Sequence, residues 1–354
     1  MTAPHGHFAG RPSRAALVLI ATLALWLGWG VREARAFEIA VQDDPTFLYN
    51  SGKISRDAGL QRAQQLGATV LRINVIWADW VRNGPPLYDA AITAAARYGI
   101  GVHLTLLGTP GDTRGDRRLS NKRPSAKLFG SFVTAVASKF RGRVARYSLW
   151  NEPNLDLFLS PQRSAPTMYR DLYRAGYAAL KRTDPRAKVL FGELFSGNVH
   201  MPSGHGPLDF LGRMSGNLRA DGLAYHPFQY MDGPRQRSRR YVGLASISSI
   251  KGALRSAARR RAVRTPGGAS LPIYFTEFGY QIKGSYRIRS ESRRASWTVE
   301  AFRMAKQGGA RSMLYYHLTR NYGNRWDAGI VNSGNSATPV FTALAGARRS
   351  LIGR

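Results

Sequence analysis

Residues 69–107 have the sequence TVLRINVIWADWVRNGPPLYDAAITAAARYGIGVHLTLL, and they decide the fold class. Two β-rich apolar runs, Thr69–Val75 and Gly101–Leu107, flank a segment with helical periodicity over Ala90–Tyr98. Strands that alternate with helical segments indicate βα units, which build parallel sheets. Both runs are apolar almost throughout, as is typical of strands that are covered on both faces. This stretch therefore predicts a parallel α/β fold.

The same alternation extends over the rest of the chain. We predict eight strands, at Phe37–Gln42, Thr69–Val75, Gly101–Leu107, Arg146–Trp150, Lys188–Phe191, Gly222–Tyr225, Ile273–Thr276 and Ser312–Tyr316. Helical patterns lie at Asp57–Leu66, Ala90–Tyr98, Ser125–Phe140, Ala165–Lys181, Leu208–Leu218, Ile247–Arg261, Ser292–Lys306 and Pro339–Ser350. Eight alternations in about 315 residues predict a single (β/α)8 TIM barrel domain. An open doubly wound sheet is the alternative, but no glycine-rich dinucleotide fingerprint follows the first strand.

The first 36 residues are predicted to be a secretory signal peptide. Arg11 and Arg14 precede an apolar run over Ala15–Val31, and Ala34–Ala36 has small residues at the spacing that signal peptidase accepts. The apolar run has 17 residues, fewer than the roughly 20 of a membrane span, although an uncleaved anchor is the alternative. Both alternatives predict a secreted or envelope-associated protein whose barrel domain covers residues 37–354.

The predicted domain is strongly basic, with 48 Lys and Arg against 20 Asp and Glu, a net charge of +28. Arginine runs such as Arg237–Arg240 and Arg259–Arg261 contribute to the excess. One interpretation is association with an anionic wall polymer or membrane surface; the other is that these runs are solvated outer faces of helices. No nucleic-acid-binding module accompanies the charge, so we expect no nucleic-acid partner, and we expect a monomer.

The chain has no cysteine, which excludes disulfides, thiolate metal sites and cysteine nucleophiles. His200 and His205 have no supporting carboxylate at metal-ligand spacing, so the sequence predicts no metal and no other cofactor. His103 lies within an apolar strand and is expected to be a core histidine with satisfied hydrogen bonds.

Two carboxylates follow predicted strands at the edge where barrel enzymes place their active sites. The fourth strand leads into Trp-Asn-Glu-Pro at 150–153, and the seventh leads into Thr-Glu-Phe-Gly at 276–279. Glycoside hydrolysis needs one protonated and one ionised carboxyl group on either side of the scissile bond. Apolar neighbours such as Trp150 would raise one pKa, and a cation such as Arg72 would favour the ionised partner. Either glutamate alone suggests an ion pair, but together they predict a glycosidase.

These two motifs resemble those of the clan A retaining glycoside hydrolases, which include families 5 and 39. The resemblance covers Phe37 to about Ala345, although its specific signal lies in the two motifs. It implies a (β/α)8 barrel that hydrolyses O-glycosyl bonds of a polysaccharide or oligosaccharide by double displacement. It also implies that Glu152 is the acid/base and Glu277 the nucleophile.

The same resemblance implies roles for neighbouring side chains. Asn151 would hydrogen-bond the sugar 2-hydroxyl, Arg72 would support the nucleophile, and His226 would line the site after strand six. Family members also have a tyrosine that hydrogen-bonds the nucleophile, for which Tyr230 and Tyr225 are both candidates.

One departure concerns the aromatic platform under the sugar. The clan often carries a tryptophan at the end of strand eight, where this chain has Tyr-Tyr-His at 315–317. We therefore expect Tyr316 and Trp326 to line the sugar-binding subsite.

Further candidates keep two interpretations each. Glu193 is either a substrate ligand or reserve acid, or the partner of an arginine. Asp43 and Asp44 either cap a turn or contact substrate, and Trp77 and Trp80 are either sugar platforms or packing residues.

Two functions other than hydrolysis are alternatives. A non-catalytic binder of an anionic glycan would explain the charge but would not need both glutamate motifs, and an exported nucleic-acid binder rests on charge alone. The sugar is not identified by the sequence. The arginine-rich loops at Thr109–Lys122 and Met231–Arg240 suggest an acidic polysaccharide.

Overall fold

A computed structural model describes Met1 and residues 36–110, 121–200, 202–320 and 326–353. Residues Phe37–Arg354 form one compact unit. The predicted signal peptide and most of the loop Thr109–Lys122 lie outside the described residues, so the boundary at residue 36 stays a prediction.

Eight parallel strands close into a barrel in which each strand pairs with its neighbours in chain order. The last strand closes the barrel on the first, with Glu38 opposite Ser312 and Gln42 opposite Tyr316. The predicted TIM barrel is therefore confirmed. The strands are β1 (Glu38–Gln42), β2 (Ala68–Ile76), β3 (Gly101–Leu107), β4 (Arg146–Leu149), β5 (Val189–Phe195), β6 (Gly222–His226), β7 (Ile273–Phe275) and β8 (Ser312–Tyr316).

Helices follow the strands and cover the outside of the barrel. They are α1 (Arg56–Gln65), α2 (Trp77–Arg97), α3 (Ala126–Phe140), α4 (Ala165–Thr183), α5 (Pro207–Arg213), α6 (Ile247–Arg259), α7 (Glu291–Gln307) and α8 (Pro339–Ile352). Hydroxyl groups of Ser55, Ser125, Ser290 and Thr338 accept a backbone N–H in the first turn of α1, α3, α7 and α8. These caps explain why the helices begin where they do, since the first N–H groups of a helix have no partner within it.

Two helices differ from the prediction. α2 starts at Trp77, directly after β2, and is interrupted at Gly84, whose φ is 67°. Proline fits the first turn of a helix, so Pro85 and Pro86 start a second helical segment instead of extending the loop. α5 ends at Arg213 and not at residue 218, because Leu218–Arg219 pairs with Val263–Arg264 in a two-stranded parallel sheet.

The helices pack on the barrel through apolar side chains that form one main buried cluster. Gly176 of α4 lets that helix approach β4 closely, because a Cβ there would lie 2.9 Å from Leu149 Cδ1. Among the described residues, no helix is long and apolar enough to cross a membrane.

Candidate active site

The carboxyl ends of the strands open into a cleft of about 1050 Å³. Six of the eight predicted site residues line it: Asn151, Glu152, Tyr230, Glu277, Tyr316 and Trp326. The other two, Arg72 and His226, are fully buried behind the cleft and reach it through the two glutamates.

A local network of hydrogen bonds holds Glu152 at the cleft. The backbone turns sharply after β4, because Trp150 and Glu152 both have positive φ, 75° and 40°. The N–H of Glu152 donates to the carbonyl of Glu193 at 2.9 Å. The side chain of Asn154 bonds the N–H and the carbonyl of Phe195, each at 3.0 Å. The turn that carries Glu152 is thus fastened to the end of β5.

Trp150, the predicted shielding neighbour of Glu152, packs towards α3 and is not among the residues that line the cleft. Its ring packs edge-on against Phe129 of α3 at 5.4 Å, and its Nε1 donates to the carbonyl of Phe158. Burial raises the pKa of Glu152, although the hydrogen bond from His226 opposes the rise.

Arg72 connects Glu277 to the barrel interior. The Nη1 of Arg72 donates to Glu277 Oε1 and to Gln42 Oε1, both at 2.5 Å. Nη2 donates to Asn151 Oδ1 at 2.9 Å, and Nε donates to Thr105 Oγ1 at the same distance. A planar guanidinium with several fixed donors can orient more than one acceptor at once, so Arg72 aligns Glu277 and Asn151 together.

His226 lies between two carboxylates. Nδ1 is 2.8 Å from Glu152 Oε1, and Nε2 is 2.6 Å from Glu193 Oε2. Burial by itself lowers the pKa of His226, but Glu277, Glu152 and Glu193 outweigh burial and raise it to about 10. At neutral pH the ring is therefore a cation that donates from both nitrogens.

The two candidate tyrosines have different surroundings. The hydroxyl of Tyr225 donates to the carbonyl of Val242 at 2.7 Å, and the residue is fully buried. Tyr230 lines the cleft, and its ring is stacked between Phe228 and Tyr286, with centroids at 5.3 and 4.9 Å. Both faces of Tyr230 are therefore covered, so it can meet a ligand through its edge or its hydroxyl. Among the described residues its hydroxyl makes no hydrogen bond to Glu277.

Tyr316 and Trp326 form the aromatic part of the cleft wall. Tyr316 ends β8 and is joined to His317 by a cis peptide bond. Its N–H donates to the carbonyl of Phe278, which fastens the end of β8 to the segment after Glu277. Trp326 packs edge-to-face against Phe228 at 5.6 Å.

Asp43 and Asp44 both line the cleft, but the Asp43 carboxylate is bound to groups of the protein. Asp43 caps a single helical turn at Asp44–Phe47 and accepts from the N–H of Thr319 at 2.7 Å. Asp44 is half-buried at the cleft wall and accepts from the side chain of Asn74 at 2.9 Å. Burial raises the pKa of Asp44 to about 7, against the opposing effect of Arg72.

Other candidates are packing residues. Trp77 stacks on Phe132 at 5.0 Å, and Trp80 packs edge-on against Phe140, so neither faces the cleft as a platform. His103 is buried with Nε2 2.8 Å from Ser148 Oγ.

In contrast to the sequence prediction, His205 does have a carboxylate at metal-ligand spacing. Asp209 stands four residues further on, and its carboxylate lies 2.8 Å from His205 Nδ1. His205 Nε2 lies 3.0 Å from the carbonyl of Gln162, so both ring nitrogens have partners within the protein.

Glu152, His226 and Glu277 form the group of described residues with donor types and spacing for a metal ion. One donor atom from each lies within 4.8 Å of the others. A histidine that is protonated offers no lone pair to a metal, and the pKa of His226 is raised to about 10. The donor set therefore does not fit a cation while this ring is charged.

No family model and no curated protein matches the chain. The structure is similar to a family 39 glycoside hydrolase from the gut symbiont Bacteroides cellulosilyticus WH2, with a TM-score of 0.65, 15% identity, and coverage of 90% of this chain and 65% of that one. The structure is also similar to a GH39 enzyme from Xanthomonas axonopodis pv. citri, with a TM-score of 0.61 and 18% identity. The match covers 91% of this chain and 67% of that one.

A GH5_18 protein from Streptomyces cattleya, solved in complex with GlcNAc, gives a TM-score of 0.59 at 14% identity over 90% of this chain and 81% of that one. The chain spans slightly less than two thirds of the Bacteroides enzyme, at 65% of its length. At these identities the similarity establishes the fold alone. The resemblance seen in the two motifs is confirmed at that level: the chain has the (β/α)8 barrel of family 39 and family 5 glycoside hydrolases.

Proposed function

We propose that the protein is a glycoside hydrolase that cleaves O-glycosyl bonds of a polysaccharide or oligosaccharide with retention of configuration. The observation that carries the proposal is the pairing of Glu152 and Glu277 in one cleft. One carboxylate oxygen of Glu152 lies within 4.8 Å of one carboxylate oxygen of Glu277. Carboxyl groups about 5–5.5 Å apart are typical of retaining enzymes, whereas inverting enzymes separate them by about 6.5–9.5 Å to admit a water. A distance of at most 4.8 Å between the nearest oxygens of the two glutamates is closer to the first range than to the second, which supports a double displacement.

In the first step a Glu277 oxygen forms a bond to the anomeric carbon while the bond to the leaving oxygen breaks. Glu152 gives its proton to that oxygen, and burial favours this role because it raises the pKa of Glu152. Arg72 lies 2.5 Å from Glu277 and orients the attacking carboxylate. In the second step water attacks the anomeric carbon, Glu152 accepts the proton of that water, and Glu277 leaves.

The proposal is tested with the variants Glu277→Ala and Glu152→Gln on a panel of aryl glycosides. Each should lower kcat/KM by about three orders of magnitude or more, because each removes a group that bonds to the reacting atoms. Azide should partly restore turnover of Glu277→Ala and give a glycosyl azide of inverted configuration. Asp89→Asn is the control, since Asp89 is an exposed partner of Arg143. Full activity in either glutamate variant would exclude the assignment.

Non-catalytic binding of an anionic glycan is the second candidate, and the net charge of +28 favours it. Incubation of the protein with a panel of polysaccharides separates the two functions. New reducing ends would support hydrolysis, whereas retention of the polymer without new ends would support binding.

An acidic glycan as substrate is a further part of the proposal. Lys53 and Arg82 lie at the cleft wall, and Arg237, Arg239 and Arg240 are exposed on the loop after β6. Added salt screens such charges, so it should slow hydrolysis of a glycan with uronic acids more than hydrolysis of a neutral one. An equal response of both glycans to salt would argue against an acidic substrate.

A further inference from the structure

A third carboxylate, Glu193 of β5, lies behind the two that face the cleft. Its side chain is fully buried, so a sugar cannot reach it. Oε2 accepts from Thr276 Oγ1 at 2.6 Å, lies 2.6 Å from His226 Nε2, and lies 3.3 Å from Arg72 Nη2. The structure agrees with the second interpretation of Glu193, in which it is the partner of an arginine, here Arg72.

The two cations that Glu193 contacts are the same two that hold the cleft carboxylates. Arg72 bonds Glu277 at 2.5 Å, and His226 Nδ1 lies 2.8 Å from Glu152. Apart from the backbone hydrogen bond between Glu152 and Glu193, the link is indirect: the Glu193 carboxylate touches a partner of each cleft carboxylate.

The charges of this buried cluster balance when Glu152 is protonated. Arg72 and His226 are then cations, and Glu193 and Glu277 are anions, which gives a net charge of zero. Such balance matters because an unpaired charge in a protein interior is costly.

Two other ionisable groups, His103 and Tyr169, face Glu193 without changing this balance. His103 of β3 lies 3.6 Å from Glu193 Oε1, and burial holds its pKa well below the ordinary value, so its ring is neutral. Arg146 of β4, which lies beside His103, is paired with Glu38 at 2.5 Å.

Tyr169 of α4 also faces Glu193 and is neutral, because burial raises its pKa. Asp44 at the cleft wall acts on Arg72 and lies outside the four charges counted above, and burial raises its own pKa to about 7.

We propose that Glu193 is a positioning residue: it is the buried counter-ion that holds His226 as a cation and so aligns Glu152 for proton transfer. The role of Glu152 in this statement rests on the proposed function, whereas the pairing of Glu193 with His226 does not. Removal of the Glu193 charge would leave the cluster with one positive charge in excess. His226 would then lose its proton more readily, because its cationic form loses a charge partner.

The experiment is an NMR titration of the histidine rings in protein labelled with ¹⁵N-histidine, with His226 assigned through His226→Gln. In the wild type we expect the His226 ring to stay protonated past pH 9, since its pKa is raised to about 10. In Glu193→Gln, which keeps the shape of the side chain, we expect the ring to lose its proton at a pH lower by about one unit or more. That fall is a tenfold change in its dissociation constant.

Thr276→Val is the matched control, because it removes a hydrogen bond to the same Glu193 oxygen without removing a charge. It should leave the His226 titration within a few tenths of a pH unit of the wild type. An equal shift in both variants, or no shift in Glu193→Gln, would overturn the proposal.

Two features keep the test independent of other failures. If Glu193→Gln does not fold, the wild type alone still decides, since a His226 that titrates near pH 6.5 would overturn the proposal. The titration needs no substrate, so an inactive wild type would count against the proposed hydrolase and not against the ion pair. In an active enzyme, the basic limb of the kcat/KM profile should move to lower pH in Glu193→Gln but not in Thr276→Val.

Discussion

Tyr225 and Tyr230 come from one short stretch of chain but differ in what their hydroxyl groups meet. Tyr225 donates to the carbonyl of Val242 inside the protein, and Tyr230 lines the cleft. We expect Tyr225→Phe to lower the free energy of unfolding by about 0.5–1.5 kcal/mol, because the half-buried carbonyl of Val242 loses its donor. Its kcat/KM on an aryl glycoside should stay near the wild-type value.

Tyr230→Phe should behave in the opposite way. Its ring keeps the stacking on Phe228 and Tyr286, so the unfolding midpoint should hardly change. If the hydroxyl meets the sugar or Glu277 in the complex, kcat/KM should fall by about tenfold, the value of one hydrogen bond. Thermal unfolding and steady-state kinetics measure both variants, and unchanged kinetics for Tyr230→Phe would exclude the Tyr230 hydroxyl from this role.

Asp44 should make stability depend on pH. The pKa of Asp44 is about 7 in the folded protein and 3.8 ordinarily, so between these values the folded state holds a proton that the unfolded state has lost. The free energy of unfolding should therefore fall as pH rises from about 4 to 7. Asp44→Asn should flatten this part of the curve of Tm against pH, and the exposed Asp89→Asn should not. Identical slopes in Asp44→Asn and wild type would contradict the raised pKa.

At the scale of elements, the approach of α4 to β4 is the contact that supports the turn at Glu152. A Cβ at Gly176 would lie 2.9 and 3.0 Å from the two Cδ atoms of Leu149. Gly176→Val should therefore destabilise the protein by about 1–3 kcal/mol through overpacking, and it should reduce kcat/KM because β4 leads into Glu152.

A second helical glycine supplies the comparison. Gly212 of α5 is exposed, and a Cβ there meets nothing within 4 Å. Gly212→Ala should raise the unfolding midpoint, since alanine favours a helix over glycine by up to about 1 kcal/mol. Chemical denaturation measures both variants, and changes of the same sign would contradict the packing argument.

At the scale of the whole molecule, a basic exterior surrounds a cleft that holds several carboxylates. Asp43, Asp44, Asp79, Glu152 and Glu277 all line the cleft, although the predicted domain carries a net charge of +28. Polyanions should therefore associate mainly with the outer surface and approach the cleft through its cationic edge.

This charge distribution predicts binding to anionic surfaces that salt reverses. Vesicles with anionic phospholipids, or an anionic wall polymer, should bind the protein at about 0.05 M salt and release it at about 0.5 M, because screening shortens the range of the attraction. Vesicles of neutral lipid are the control. Equal sedimentation with both kinds of vesicle would show that the charge does not direct the association.

The sequence alone predicted the eight strands, most helices and the two motifs that bring Glu152 and Glu277 to one edge of the barrel. These features follow from periodicity and from short spacings, which are properties of neighbouring residues along the chain. The start of α2 was missed because Pro85 and Pro86 indicate a loop as readily as the first turn of a helix.

The tertiary structure decided which polar groups meet inside the barrel. Arg72 joins Glu277, which lies 205 positions further along the chain, and His226 joins Glu152 across 74. The surroundings of Glu193, Asp44 and Tyr225 depend on such encounters, and so does the packing of Trp150 against Phe129. No local pattern encodes these contacts, because the closure of the barrel and the register of its strands determine which side chains share its interior.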